Sequence, residues 1–290
     1  MEQCYFVVEG PHDVELIGRV LKPEGFKRVL QLQDVDPFWL PLVPREFPVR
    51  GDLAKRVPVP VFFARDDVKV AISTSEGGND ERLITTLQDS LDVLRRERDA
   101  ALSAVGVLLD ADDRPPSERL KKVAQGMARC GLTEPPLDGT VLQSSPRAGV
   151  FALPDNRLEG TLEDLLVVCG QARYPELHAA AEAFVRSVDL RWEEFAAAKD
   201  DLKFIKRPAG PKKARLGAMA SVLRPGKAIQ MSIQDNRWLE PASLTLPELA
   251  PVVSFIRAVV GLAGDSLTVS LEVNEAGDAL SAREPEPSIS

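Results

Sequence analysis

The sequence predicts an α/β protein with a mostly parallel sheet flanked by helices, and three observations predict it. Short apolar runs of strand length alternate with stretches whose apolar residues recur at helical spacing. The two strongest runs, Tyr5–Val8 and Val105–Leu109, are apolar throughout, as buried strands are. The chain has 290 residues, 44% hydrophobic and 28% charged, enough to bury a sizeable core.

Taken in order, Tyr5-Phe6-Val7-Val8 reads as a strand that stops at Glu9-Gly10. Pro11 suits the first turn of a helix, which Val14, Ile17, Val20 and Leu21 continue. Residues 33–66 are broken by Pro37, Pro41, Pro44, Pro48, Pro58 and Pro60 and read as a proline-rich insertion with short strands or extended pieces. Val68–Ser73 is another strand and Ser75–Asn79 a loop. Asp80 fits the N-cap of a long helix through about Ser103, with Leu83, Ile84, Leu87, Leu91 and Leu94 on one face. Val105–Leu109 runs into Asp110-Ala111-Asp112-Asp113, and Pro115-Pro116-Ser117 opens a helix over roughly 117–130. Thr140–Leu142 and Gly149–Leu153 read as strands, and Pro154-Asp155-Asn156 as a turn. A helical pattern fills 161–200, broken near Tyr174-Pro175. Residues 208–213 read as a loop, 214–223 as a helix, and Leu246–Leu262 contains a last helix. The organisation expected is a core over 1–160 with the insertion at 33–66, a mainly helical C-terminal part over 161–272 that completes the site, and a disordered acidic tail over 273–290.

Composition narrows the chemistry. With 36 Lys/Arg against 44 Asp/Glu the net charge is −8, so the chain is no diffuse nucleic-acid coat, and contact with a polyanion needs a local basic patch. Such a patch exists: Lys199–Lys227 holds nine Lys/Arg and two Asp. Three scattered cysteines and two histidines disfavour a disulfide framework, a Cys/His zinc site and a histidine triad. No apolar run approaches a membrane span of ~20 residues, and the N-terminus lacks a signal peptide's basic and apolar regions, so a soluble cytoplasmic protein is expected.

The acids at strand ends carry the chemical signal. Glu9 ends the first strand and Asp110/Asp112 end the later one, and ligands gather at the carboxyl ends of parallel strands. Converging carboxylates repel, and a divalent cation offsets that repulsion; oxygen ligands suit Mg²⁺ or Mn²⁺. Asp13 lies one helical turn beyond Glu9 and faces the same region. Either motif alone is usually a pair of solvated loop acids, whereas the combination is far more specific.

FVVEGPHDVELIGRVL (residues 6–21) followed by VGVLLDADD (105–113) resembles the Toprim domain, the metal-binding module of topoisomerases, primases and OLD-type nucleases. Glu9, Asp110 and Asp112 match that family's acidic positions, and Asp13 matches a further acid of OLD-like members. GGNDERLI (77–84) resembles the segment between the motifs. VFALPDNRLEGTLEDLLV (150–167) and PKKARLGAMASVLRPGKAI (211–229) look like later segments of stand-alone bacterial Toprim-like proteins. There Glu163 matches another metal-site acid and Lys213 the lysine near the metals. The proline-rich insertion departs from the minimal module, and the chain carries no Walker motif.

The resemblance implies a Mg²⁺- or Mn²⁺-dependent nuclease acting on DNA or RNA. Its metal ligands are drawn from Glu9, Asp13, Asp110, Asp112 and Glu163. Glu9 and Lys213 are the catalytic candidates, and Lys206, Arg207, Lys212, Lys213 and Arg215 the nucleic-acid contacts. It further implies an anti-phage effector controlled by an ATPase on a separate polypeptide. The alternative is a non-catalytic Toprim-fold subunit acting through a protein partner, docked by insertion residues such as Phe38, Trp39, Phe47, Phe62 and Phe63, with Trp192 and Trp238. A haloacid-dehalogenase-type phosphatase is disfavoured because its D-x-D belongs on the first strand, where this chain has Glu9. A topoisomerase needs a tyrosine nucleophile, and Tyr5 and Tyr174 read as packing residues. His12 reads as a helix-start surface residue, His178 as structural, and Cys4, Cys130 and Cys169 as buried small side chains.

Overall fold

The structure is a computed structural model that describes residues 1–45, 59–75, 79–96, 101–188 and 202–262. Its strands are β1 (Glu2–Val8), β2 (Lys27–Val29), β3 (Val61–Arg65), β4 (Val68–Thr74), β5 (Ala104–Asp110) and β6 (Arg147–Leu153). They form one six-stranded sheet in the order β2-β3-β4-β1-β5-β6. The run β4-β1-β5-β6 is parallel, and β3 lies antiparallel to β2 and β4. The apolar continuity of β1 follows from burial on both faces: Cys4, Phe6 and Val8 enter one core, and Tyr5 and Val7 the other.

Nine helices surround the sheet among the described residues: α1 (Pro11–Leu21), α2 (Asp80–Leu94), α3 (Pro116–Arg129), α4 (Leu162–Arg173), α5 (Pro175–Ser187), α6 (Gly210–Leu223), α7 (Ile229–Asp235), α8 (Pro241–Leu244) and α9 (Ala250–Val259). Helices α2 and α3 cover the Tyr5/Val7 face through Leu83, Leu87, Leu120 and Val123. Helices α1 and α9 cover the other face, and α4–α8 extend that layer outward. Gly106 permits the α9 approach, since a Cβ there would lie 2.8 Å from Phe6 Cε1 and 3.2 Å from Val259 Cγ2. No helix among the described residues is long and apolar enough to cross a membrane.

Several elements differ from the sequence expectation. The helix expected to reach Ser103 ends at Leu94, where Arg95 caps it and turns its guanidinium to the Cys130 carbonyl at 2.6 Å. Its N-cap is Asn79, not Asp80; the Asn79 side chain accepts from the Arg82 N–H at 2.8 Å. Thr140–Leu142 forms no strand, only a bridge from Leu142 to Ala148. The loop expected over 208–213 is cut short because α6 already begins at Gly210, which puts Lys212 and Lys213 in its first turn. Helices α7 and α8 are too short to leave a periodic signal. The break between α4 and α5 falls at Tyr174, as the sequence predicts.

Within the insertion, residues 46–58 lie outside the described residues, as do Trp192 and the tail over 273–290. The described part supplies helical turns at Leu32–Asp34 and Pro37–Leu42, then β3. Trp39 is 1% exposed, its ring tilted 31° to that of Tyr5 at 6.0 Å and edge-on to Phe38 at 4.6 Å. Phe62, Phe63 and Trp238 are buried too. Trp39, Phe62, Phe63 and Trp238 are therefore core side chains, and Phe38 is half-buried. The cysteines are free and buried, and burial pushes the Cys4 and Cys169 thiols up to about 12.

Candidate functional site

Adjacent parallel pairing decides where the acids meet. Val8 of β1 is in register with Leu108 of β5, so Glu9 and Asp110 leave the sheet side by side at its carboxyl edge. The chain after β1 turns directly into α1, whose Asp13 accepts from the Gly10 N–H at 2.8 Å and is thereby folded back toward the strand end. After β5, Asp112 adopts a left-handed backbone (φ 58°), a conformation that Asp tolerates better than most residues, and its N–H donates to the Gly160 carbonyl at 2.8 Å. That bridge brings in the start of α4. The Leu162 N–H donates to Asp110 Oδ1 at 2.8 Å, and the next residue, Glu163, is carried to the same edge.

Arg119, in the first turn of α3, is the cation among these acids. Its Nη2 donates to Glu9 at 2.8 Å, its Nη1 to Asp112 at 2.8 Å and to the Asp110 carbonyl, and its Nε to Asp80 at 2.8 Å. The residue is only 8% exposed. Desolvation alone would lower its pKa, but the surrounding carboxylates raise it. Burial raises the Glu9 carboxyl, and the Arg119 charge opposes that rise.

Among the described residues no Lys or Arg side chain is ion-paired with Asp13 or Asp110. Burial is the main reason that Asp13 is raised to about 7; the Gly10 N–H opposes the rise, and the Glu9 charge adds to it. Asp110 is also raised well above the ordinary range by burial, and the charges of Asp13, Glu9 and Glu163 raise it further. Glu163 behaves differently. Burial pushes it up, yet His12, Thr161 and Lys213 outweigh that and bring it down to about 2. His12 Nδ1 stands 3.9 Å and Lys213 Nζ 3.6 Å from its Oε1, ion-pair distances that are too long for good hydrogen bonds. Its Oε2 is buried with no hydrogen-bond partner.

Glu9, Asp13, Asp110, Asp112, Glu163 and Lys213 therefore share one edge of the sheet. Beside them a cavity of about 380 Å³ is lined by Asp112, Thr161, Asp164, Arg207, Lys212 and Lys213. Lys212 is ion-paired with Asp164 at 2.5 Å, and Arg207 stacks on exposed Phe204 at 4.8 Å. Lys206 is exposed and is not among the residues that line this cavity. Arg215 is not brought to the groove: it turns to Glu182 at 3.1 Å and His178 at 3.3 Å on α5. Asp155 and Asn156 bond within their own turn. Lys199 lies outside the described residues.

Sequence reasoning missed Arg119 and Asp80. A signal for Arg119 existed. It shares the α3 face of Pro116 and Val123 at helical spacing, and an arginine on an apolar face is rarely left unpaired.

The donor set suits a hard divalent cation by chemistry, being all carboxylate, partly buried and mutually repulsive, with an unpartnered Glu163 oxygen. The ligands are not gathered as placed. Among the described residues no group of three or more His, Cys, Asp or Glu side chains stands in position to hold a metal ion. Glu9 and Asp112 are engaged by Arg119, Asp13 by Gly10 and Asp110 by Leu162.

Fold and site together define an α/β protein with a carboxylate cluster at the carboxyl edge of a mostly parallel sheet. The chain belongs to the family described as a protein of unknown function, DUF3226, whose model matches residues 4–259. No curated protein matches it. Among solved structures it is similar to the hypothetical protein PH0156 from Pyrococcus horikoshii OT3, with a TM-score of 0.51 and 16% identity over 88% of this chain and 99% of that one. At that identity the likeness concerns the fold alone.

Proposed function

We propose that this protein is a Mg²⁺- or Mn²⁺-dependent nuclease that hydrolyses phosphodiester bonds in DNA or RNA. One observation carries the reading: two strand ends and two helix starts bring Glu9, Asp13, Asp110, Asp112 and Glu163 to the same edge of the sheet, beside a cleft bearing Arg207, Lys212 and Lys213. The Toprim resemblance of the same acids supports it.

The five carboxylates are the oxygen ligands available to the metal. A bound divalent cation supplies Lewis-acid polarisation of the phosphoryl group and a lowered pKa for attacking water. Glu9, which Arg119 holds in the metal-free protein, would with a metal bound be a candidate to take a proton from the attacking water. Lys213 offers positive charge to the leaving oxygen. Arg207, Lys212 and Lys206 contact phosphates, which implies salt-dependent binding with low sequence specificity. Control by an ATPase on a separate polypeptide is part of the same proposal.

A second reading is a non-catalytic Toprim-fold subunit acting through a partner. It is favoured by Arg119, whose guanidinium already engages Glu9 and Asp112. The deciding experiment incubates the protein with plasmid DNA and with total RNA in Mg²⁺, Mn²⁺ or EDTA, beside Glu9→Ala and Asp110→Ala. Metal-dependent cleavage lost in both variants supports the nuclease. Equal cleavage by the variants, or cleavage in EDTA, removes it. Absence of cleavage by the wild type favours the second reading.

A further inference from the structure

We propose that Arg119 is a resident counter-ion of the acidic site, holding Glu9 and Asp112 in the metal-free protein and withdrawing toward Asp80 when a divalent cation takes them. The proposal rests on the metal reading above and adds a residue that the reading does not contain.

The geometry of the guanidinium carries it. Three separate segments present an acid to three different nitrogens: Glu9 after β1 to Nη2, Asp112 after β5 to Nη1, and Asp80 at the start of α2 to Nε. A planar fork can satisfy all three at once, which a lysine ammonium cannot do with the same orientation. Two of the acids are proposed metal ligands and the third is not. Asp80 grips the nitrogen nearest the aliphatic stem, so the Nη contacts can be released while that one persists. There is space for the movement: a pocket of about 390 Å³ opens beside Arg119, lined by Asn79, Asp80, Glu81, Asp112, Asp113 and Lys122.

Competition follows from charge. A guanidinium and a divalent cation cannot both sit against Glu9 and Asp112 without strong repulsion at short range. Binding of the cation and retention of the Nη contacts are therefore negatively coupled. A coupling of ordinary size corresponds to roughly 5- to 150-fold in affinity. Asp80 acts in the opposite sense. In the metal-free protein it is one of four partners of Arg119, beside Glu9, Asp112 and the Asp110 carbonyl, but after withdrawal it is the main carboxylate partner, so its charge matters more to the metal-bound state.

The two roles give opposite signs, which a purely structural tie between α2, α3 and β1 does not. The test is a Mn²⁺ titration of the full-length protein at neutral pH, reading free Mn²⁺ by electron paramagnetic resonance, with circular dichroism to verify folding. Arg119→Gln is expected to bind Mn²⁺ about tenfold more tightly than wild type. Arg119→Lys should fall between them, and Asp80→Asn should bind several-fold more weakly. If Arg119→Gln does not fold, the opposed shifts of Arg119→Lys and Asp80→Asn carry the test. Equal affinities, or weakening in both the Arg119 and the Asp80 variants, overturn the counter-ion role and leave the metal reading standing. Failure of every form, wild type included, to bind Mn²⁺ overturns both.

Discussion

The acidic site has two halves that solve the same electrostatic problem differently. On the α2–α3 side, Glu9, Asp80 and Asp112 share the guanidinium of Arg119. On the α1 side, Asp13 and Asp110 are buried and hydrogen-bonded to backbone N–H groups, and both shift toward the protonated form. One half is compensated by a cation from the chain, while in the other burial raises the affinity of the carboxylates for protons. A buried carboxylate needs one or the other, because desolvating an unpaired charge is costly. An incoming divalent cation therefore has most to gain in the second half and a competitor in the first.

The largest effect should come from removing the cation of the first half. Arg119→Met leaves Glu9 partly buried and uncompensated and leaves Asp80 with Lys122 at 3.5 Å, and breaking such a network costs about 3–5 kcal/mol. Urea unfolding in EDTA checks this. A loss below about 1 kcal/mol would mean that the three carboxylates do not depend on the arginine, and the contrast between the halves would collapse.

The second half predicts a stabilising change. Asp13 has a folded pKa of about 7, above its ordinary value of 3.8, so the folded state binds the proton more tightly than the unfolded state. Its destabilisation is complete above about pH 7 and fades as pH falls toward 4. Asp13→Asn keeps an acceptor for the Gly10 N–H and removes the charge. In EDTA at pH 8 it should gain about 2 kcal/mol over wild type, and the gain should vanish near pH 4. Paired denaturation curves across that range test it, and a gain independent of pH would refute the assignment.

How far these halves are legible in the sequence depends on how local their causes are. Strands β1 and β5 announce themselves as apolar runs, and the acids that end them need only adjacent parallel pairing to meet. The start of α1 is equally local, because Pro11 and Asp13 carry the signal within a few residues. Arg119 is not local in this sense. Its acid partners are Asp112, 7 residues away, Asp80, 39 away, and Glu9, 110 away. Its helical spacing with Pro116 and Val123 marks it as lying on the apolar face, but nothing within SERLKK names its partners. The end of α2 is set by a contact of Arg95 with Cys130, again across the fold, so a pattern that continues through Arg96 gives no warning of the stop. Arg215 is the converse case. Its place in a basic run marks it as a phosphate contact, but Glu182 and His178 hold it on α5.

Glu163 stands between the halves, and its substitution should have a smaller effect. Its pKa of about 2 lies below the ordinary 4.5, so it contributes stability above about pH 4.5 that is lost as pH falls toward 2. Glu163→Gln should cost about 1 kcal/mol at neutral pH, less than the shift alone implies. Lys213 is largely exposed, which screens the pair, and losing the Glu163 charge also relieves Asp13 and Asp110. The cost should shrink as the pH is lowered. A constant cost from pH 7 to pH 3 would point to packing instead of charge.

Lys213 should matter least to stability, and that is what makes it the sharpest probe. Its side chain is 57% exposed, and its pairing with Glu163 is 3.6 Å long. It also sits in the first turn of α6, where a positive charge opposes the helix dipole. Losing a screened ion pair and losing an unfavourable dipole interaction nearly cancel, so Lys213→Ala should change stability by no more than about 0.5 kcal/mol. Its amine nevertheless lines the cleft beside the carboxylates. If it stabilises charge on the leaving oxygen, its removal should slow single-turnover cleavage by about 100-fold, with the urea midpoint unmoved. A cleavage rate unchanged by Lys213→Ala would leave the acids as the whole of the site and assign the lysine only to the ionisation of Glu163.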